Sequence, residues 1–453
     1  MPDAHSARPD RLFGTDGVRG HVGTEITPEL AASVARAYAS LLREADPSPV
    51  VLLGRDTRPS GPELSAAVRE ELCRCGVQVR DCGVIPTGAL CLLVREHGAD
   101  GGVVISASHN PPDSNGIKLV GPGGHKLPIA LQHRVEDLIL AAASPDDARV
   151  AAACSLYPEA IEDYLGIILA EFAPDSLQGL RVVLDCAHGA ASCSAEAAFE
   201  RLGAQVSAIN CDTDGARINI ECGSTRPQAL AKAVMAQGAD LGVAFDGDAD
   251  RAVLVSGEGG IVDGDASKYI LAMDLRQRGL LEPPLVIGTV MNNFGLERAL
   301  AAEGIELERT PVGDRHVVER MREAGAQIGG EQSGHIVFPG TLIGDGAYTA
   351  LRLCEVVARS GRGLAELARP VRKIPQHLVN IRTANHAAWH RRREVRDEVS
   401  RWEQRLDGSG RILVRASGTE PLVRVMVEAE DPALAREAVD AVANAIRAAC
   451  GEA

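Results

Sequence analysis

No stretch of this 453-residue sequence is apolar for long enough to cross a bilayer. The longest runs, such as Ala89–Val94 and Leu138–Ala143, fall far short of the roughly 20 residues a spanning helix needs. Residues 1–10 are polar with no apolar core, so no signal peptide is expected. Basic residues are in deficit, 47 Lys and Arg against 62 Asp and Glu, giving a net charge of −15. That balance argues against nucleic acid or an anionic membrane as the main partner. It leaves open a small phosphorylated ligand, which local arginines and backbone N–H groups can hold. Paired metal-ligand spacing is also missing from the eleven cysteines. The nearest pair, Cys73-Arg74-Cys75, has a one-residue gap that fits no common zinc site. Reduced thiols in a cytoplasmic protein are the expectation.

What is present is an ordinary globular balance, 45% hydrophobic and 24% charged, on a chain long enough for about three or four domains. Thr27-Pro28-Glu29-Leu30 reads as a helix N-cap with Pro at the first helical position, opening a helix to about Arg43. Three segments then share one plan. Short apolar runs at Val50–Leu53, Val182–Leu184 and Leu285–Ile287 are each followed by a polar turn, a helix and a second run. The helices are expected near Glu63–Cys73, Ala195–Leu202 and Gly295–Glu303. The alternation predicts mostly parallel sheets. A third run in each segment, ending at Ile105, Phe245 and Gly330, leads into a polar loop. Ligands bind beyond the carboxyl ends of such strands, so three loops of different chemistry could face one cleft. From about Val371 the plan gives way to short strands and a closing helix over about Pro432–Ala449, a small α+β domain. The predicted architecture is three similar α/β domains with mixed, mostly parallel sheets, residues 1–153, 154–255 and 256–369, plus a C-terminal α+β domain, 370–453.

The loops carry the chemistry. Ser106-Ala107-Ser108-His109-Asn110-Pro111 follows a buried strand, and Pro111-Pro112 bars a helix there. Ser108 is either a turn residue or a nucleophile. A hydrolase with His109 as base is disfavoured, because neighbours on an extended loop point apart and no Gly-x-Ser-x-Gly elbow surrounds the serine. Asp246, Asp248 and Asp250 would repel one another unless a divalent cation sat among them. The EF-hand pattern fails, with Arg251 at its sixth position and Gly257 at its twelfth. A solvated acidic turn is the plain alternative, and Mg²⁺ completed by a phosphate oxygen is the functional one. Glu331, Ser333 and His335 could grip sugar hydroxyls or merely cap a helix. Arg415, Ser417, Gly418 and Thr419, with Arg424 beyond them, suit phosphate. A non-catalytic sugar-phosphate sensor would need neither the aspartates nor Ser108.

Taken together, Phe13–Gly20, Ser106–Pro111, Asn115–Lys118, Cys222–Thr225, Asp246–Arg251, Gly288–Met291, Gly330–His335 and Arg415–Val425 resemble the α-D-phosphohexomutase superfamily over essentially the whole chain. The wording of Phe13–Gly20, Gly330–His335 and Val312–Arg315 resembles its glucosamine-phosphate branch. The resemblance implies four domains around a central cleft and isomerisation of glucosamine 6-phosphate and glucosamine 1-phosphate for cell-wall precursor synthesis. The alternative is a phosphomannomutase/phosphoglucomutase working the same way. It further implies that Ser108 is carried as phosphoserine and joins Asp246, Asp248 and Asp250 as a ligand of one Mg²⁺. A sugar 1,6-bisphosphate, of glucosamine or glucose, would be intermediate and activator. Lys118 is the implied acid/base, with Arg19 and Arg251 near the transferring group. A homodimer is the family expectation. The chain departs from the family pattern at Gly88, Arg226, Ala416 and Pro339–Leu342, which bears on rate and sugar preference rather than on reaction class.

Overall fold

A computed structural model describes residues 12–14, 16–141, 152–341, 343–383, 386–417 and 421–451. The chain forms two compact units, residues 1–289 with 310–369, and residues 290–309 with 370–453. No described helix is long and apolar enough to cross a membrane.

In the first unit the sequence repeat becomes a topological one. Val50–Arg55 lies between two parallel neighbours, Gln78–Val84 on one side and Gly101–Ile105 on the other. Arg181–Asp185 lies in the same way between Gln205–Ile209 and Leu241–Phe245. Leu285–Thr289 runs parallel to the short strand Gly329–Gly330, with Ile287 opposite Gly329. A return strand then runs antiparallel to each third strand. These are Ser114–Val120, Ala252–Ser256 and Ile336–Val337. Each functional loop is therefore the link between the last parallel strand and its antiparallel return. Strands buried on both faces explain the apolar runs: Gly101–Ile105 and Leu241–Phe245 have no exposed residue.

The opening helix is Pro28–Ala45, and Thr27 Oγ1 accepts from the Leu30 N–H at 3.2 Å as the cap signature predicts. Its buried face, including Val34, Tyr38 and Leu42, packs with Leu53, Val103, Ile105 and Ile117. Full burial of one such aliphatic side chain stabilises by about 1.5–3 kcal/mol.

The second unit contains a three-stranded antiparallel sheet with Leu422–Ala429 between Gln376–Arg382 and Gly410–Ala416. Helices Arg393–Leu406 and Pro432–Cys450 cover it through Trp402, Val439, Val442 and Ile446. The helix of the third repeat, Phe294–Ala302, belongs to this unit. The reason is Glu428, fully buried on the central strand. It accepts from Asn293 Nδ2 at 3.0 Å and from the Phe294 N–H at 2.9 Å, while Arg411 Nε pairs with it at 2.6 Å. A carboxylate buried that deeply requires such partners.

Candidate active site

Ser108 is fully buried and has a positive φ of 51°, a conformation an unsupported serine avoids. Four contacts hold it there. Its N–H donates to Ser106 Oγ at 2.9 Å, and its carbonyl accepts from Arg58 Nη2 and Asn219 Nδ2, each at 2.9 Å. Its hydroxyl donates to Asp246 Oδ2 at 2.6 Å. The loop is thus not extended, and the expectation that Ser108 and His109 point apart is corrected. His109 Nδ1 lies 3.4 Å from Ser108 Oγ. Burial first, then Arg251 and Arg19, push the His109 pKa down to about 4. The serine hydroxyl nevertheless faces a carboxylate of the acidic loop.

Asp246, Asp248 and Asp250 are buried, and one oxygen from each falls within 4.8 Å of the others. Among the described residues this is the one group of three or more His, Cys, Asp or Glu side chains so arranged. Gly247 makes the turn possible, since a Cβ there would sit 2.6 Å from the Ser108 carbonyl oxygen. Burial, then repulsion from Asp250 and Asp248, raises the Asp246 pKa well above the carboxylate range. Burial would raise Asp250 too, but Lys118 and His335 outweigh it and hold that pKa well below the range. Oδ1 of Asp248 and Oδ1 of Asp250 are buried without hydrogen-bond partners. Orphaned buried oxygens on clustered carboxylates fit a hard divalent cation.

Lys118 Nζ donates to Asp248 Oδ2 at 2.7 Å and lies 3.0 Å from Asp16 and 3.7 Å from Asp250. Arg19 pairs with the same Asp16. Arg251 Nε lies 3.6 Å from Asp250 Oδ1, and its N–H donates to Asp246 Oδ1 at 3.2 Å. Of the four residues read as catalytic from the sequence, Ser108, Lys118 and Arg251 therefore touch the aspartate cluster, while Arg19 is linked to it through Asp16 and Lys118. Thr87 Oγ1, unnoticed in the sequence, donates to Asp248 Oδ2 at 2.5 Å.

Of the third loop, Glu331 and Ser333 stay together, with Ser333 Oγ donating to Glu331 Oε2 at 3.3 Å and the Gly313 N–H to Oε1 at 3.1 Å. The His335 side chain contacts other partners, its Nε2 lying 3.1 Å from the Gly344 nitrogen. It is buried between Asp250, 3.6 Å from Nδ1, and Asp314, 3.3 Å from Nε2. Burial disfavours its charged form, yet the two carboxylates push its pKa up to about 10.

Arg415 and Arg424, nine positions apart in sequence, stand directly opposite one another on adjacent strands of the second unit. Ser417 is buried, with its N–H on the Leu422 carbonyl at 2.9 Å. Burial, then Arg424, lowers the Arg415 pKa. Gly418 and Thr419 lie outside the described residues, as does Leu342. Of the other departures, Arg226 is exposed, and Gly88 has no room for a side chain, since a Cβ would meet Asp345 Cβ at 2.9 Å.

Family models described as phosphoglucomutase/phosphomannomutase alpha/beta/alpha domains I, II and III and C-terminal domain match residues 10–146, 157–260, 263–374 and 378–445. The phosphoglucosamine mutase of Salinispora arenicola is 47% identical over 447 residues, covering 97% of this chain and 99% of that protein. That of Symbiobacterium thermophilum is 45% identical over 445 residues, covering 96% and 99%. Among solved structures, a phosphoglucomutase/phosphomannomutase family protein from Burkholderia thailandensis superposes with a TM-score of 0.81 at 26% identity, covering 97% of both chains. Aspergillus fumigatus N-acetylphosphoglucosamine mutase, solved with GlcNAc-6P and magnesium, shares the fold at a TM-score of 0.67 and 18% identity, covering 97% of this chain and 96% of that one. The chain belongs to the phosphoglucomutase/phosphomannomutase family and, within it, aligns along nearly its whole length with the phosphoglucosamine mutases.

Proposed function

We propose that this chain interconverts glucosamine 6-phosphate and glucosamine 1-phosphate, with Ser108 carrying the phosphoryl group between sugar positions. The observation that carries the reading is the 2.6 Å contact of Ser108 Oγ with Asp246 inside a cluster of three buried carboxylates. A phosphorylated Ser108 would be strongly repelled there unless a cation intervened. Asp246, Asp248, Asp250 and an oxygen of the phosphorylated Ser108 would hold Mg²⁺, which supplies positive charge to the transferring phosphoryl group.

The chain's own residues do the rest. Ser108, fixed by Arg58 and Asn219, presents its oxygen along one line, so the approach of a sugar hydroxyl is already oriented. Lys118, held charged by Asp16 and Asp248, is placed to give a proton to the serine oxygen as the phosphoryl leaves for the sugar. The proton released by the attacking sugar hydroxyl restores its charge, and the reverse reaction runs the same exchange backwards. Arg251 and Arg19 offset negative charge on the group in transit. Glu331 and Ser333 offer paired acceptors and donors to sugar hydroxyls, and Arg415, Ser417 and Arg424, with Gly418 and Thr419, hold the phosphate that is not reacting. A sugar 1,6-bisphosphate is then the intermediate, and a catalytic amount of glucose or glucosamine 1,6-bisphosphate would charge Ser108. The four loops fall one to each of residues 1–153, 154–255, 256–369 and 370–453, the domain division we adopt.

Phosphorus NMR of the protein with Mg²⁺, trace glucose 1,6-bisphosphate and glucosamine 6-phosphate tests the reading, with Ser108→Ala beside it. Glucosamine 1-phosphate forming faster than the corresponding products of glucose and mannose 6-phosphates, and vanishing in the variant, is expected. Faster conversion of glucose or mannose phosphate would transfer the assignment to the phosphomannomutase/phosphoglucomutase reading. No conversion of any sugar would leave a binding protein.

A further inference from the structure

Lys126 and Asp314 belong to none of the catalytic groups named above, yet the structure spends buried charge on both. Their side chains are only 14% and 9% exposed, with Nζ and Oδ2 at 2.5 Å. Lys126 also pairs with Asp16, which lies 3.0 Å from Lys118. Asp314 lies 3.3 Å from His335, which lies 3.6 Å from Asp250, and Asp250 is 3.7 Å from Lys118. The path returns to its start. Lys118, Asp16, Lys126, Asp314, His335 and Asp250 form a closed ring in which two lysines and a histidine alternate with three carboxylates. It draws on all three sheets of the first unit.

We propose that Lys126 and Asp314 are positioning residues, a charged clasp that fixes Lys118 and His335 against the aspartate cluster; this rests on the reaction assigned above. Stability does not account for the pair. Buried ions cost several kcal/mol each to desolvate, and well-packed apolar residues in their place are often neutral or better. The surrounding contacts favour a deliberate junction. Arg315 donates to the Leu127 carbonyl at 2.9 Å and Arg322 Nη2 lies 3.1 Å from His125 Nε2. Helix Asp314–Ala324 therefore meets the segment His125–Leu127 at three successive points. Asp314 is the first residue of that helix, where the helix dipole favours a carboxylate. The clasp also borders a cavity of about 120 Å³ rather than lying in the apolar core. Without Lys126, Asp16 would balance two cations on fewer constraints and Lys118 would be freer to swing. Without Asp314, His335 would lose one of its two flanking carboxylates.

The test is a double-mutant cycle on Lys126→Met and Asp314→Asn, read as kcat, KM and melting midpoint. Each single variant is expected to lose about tenfold or more in kcat, since misplacement of an active group by ~1 Å can cost about a hundredfold. KM should stay within about threefold, because ground-state grip is elsewhere. Lys126→Arg should retain most of the activity, and the double variant should be no worse than the poorer single one, as expected of residues acting as a unit. Removing one partner of a buried pair destabilises in itself, so kcat is read well below each variant's own melting midpoint, which separates positioning from folding. Should Lys126→Met fail to fold, Asp314→Asn against Asp314→Glu makes the same comparison. Singles within about twofold of wild-type kcat, or losses that multiply in the double variant, would overturn the clasp. Wild-type turnover tests the assigned sugar by itself. If another hexose phosphate proves the substrate, the same cycle run on it judges the clasp alone.

Discussion

Arg58 Nη2 donates to the Ser108 carbonyl at 2.9 Å from a side chain with no exposed surface. Its other donors reach the carbonyls of Asn110, Pro111 and Ser114, and its Nε pairs with Asp56 at 2.9 Å. One guanidinium fork thus holds four carbonyls of the serine loop, a task for which a lysine has the wrong shape. Arg58→Leu would remove the cation paired with buried Asp56 and a donor from each of the four carbonyls, and should cost about 3–5 kcal/mol of stability. Arg58→Lys should unfold at lower urea concentration than wild type and lose kcat more than affinity. Urea titration beside steady-state kinetics checks both. Wild-type loop activity in the lysine variant would show that Ser108 holds its conformation unaided.

At Gly88 the structure leaves no room for a side chain. A methyl group there would approach Asp345 Cβ to 2.9 Å, and Asp345 is buried with its carboxylate bonded by the Tyr164 hydroxyl at 2.9 Å. Gly88→Ala should therefore destabilise by about 1–3 kcal/mol, as overpacking of a filled site does. Because Thr87 beside it bonds Asp248, some loss of activity should follow. A calorimetric scan of the variant decides it. An unchanged or raised midpoint would mean Asp345 moves aside freely.

Much of this was open to reading in the sequence, and for a physical reason. Ser108 and the aspartates 246, 248 and 250 each lie in short contiguous stretches that follow unmistakable buried strands, so periodicity alone delivers them to strand ends. Lys126 and Asp314 are 188 positions apart, and their meeting depends on where one helix begins against one loop. Arg58 sat in plain view in Gly54-Arg55-Asp56-Thr57-Arg58, but its partners are carbonyls, which leave no trace in residue identity. Register hid the rest. Arg424 reads as a residue beyond the phosphate loop until strand pairing sets it opposite Arg415. His109 was misjudged because a positive φ at Ser108 is not written in its neighbours.

That cross-strand pair of arginines makes its own prediction. Two cations face to face on an antiparallel ladder repel, and an incoming phosphate relieves the repulsion. Arg415→Ala should raise KM for the phosphosugar by about tenfold or more while kcat falls less, the pattern of a lost ground-state grip. Stability should change little, as is usual for a partly exposed side chain outside the core. A fall in kcat at constant KM would place Arg415 in the chemistry instead.

Lys268 is fully buried, its amino group donating to the Gly330 carbonyl at 2.9 Å and lying 3.5 Å from Asp265. Asp265 in turn accepts from Gln332 Nε2 at 3.2 Å, so the lysine brackets both ends of Gly330–Gln332 and fixes Glu331 between them. Lys268→Met should raise KM several-fold with kcat within about twofold, because the sugar grip loosens and the phosphoryl chemistry stays intact. Stability should respond to pH in a direction the burial dictates. Desolvation, only partly offset by Asp265, holds the Lys268 pKa below its ordinary value. Between the folded and unfolded pKa values the unfolded chain binds the extra proton, so this residue's contribution to stability rises with pH. At neutral pH the wild type carries the full cost of the buried charge, and part of it is relieved on the way to alkaline pH. The stability of Lys268→Met relative to wild type should accordingly be greatest near neutrality and decline as the pH is raised. Denaturant titrations of both proteins between neutral and mildly alkaline pH measure it. A difference that is flat or grows with pH would mean that Asp265 and the Gly330 carbonyl fully compensate the buried charge.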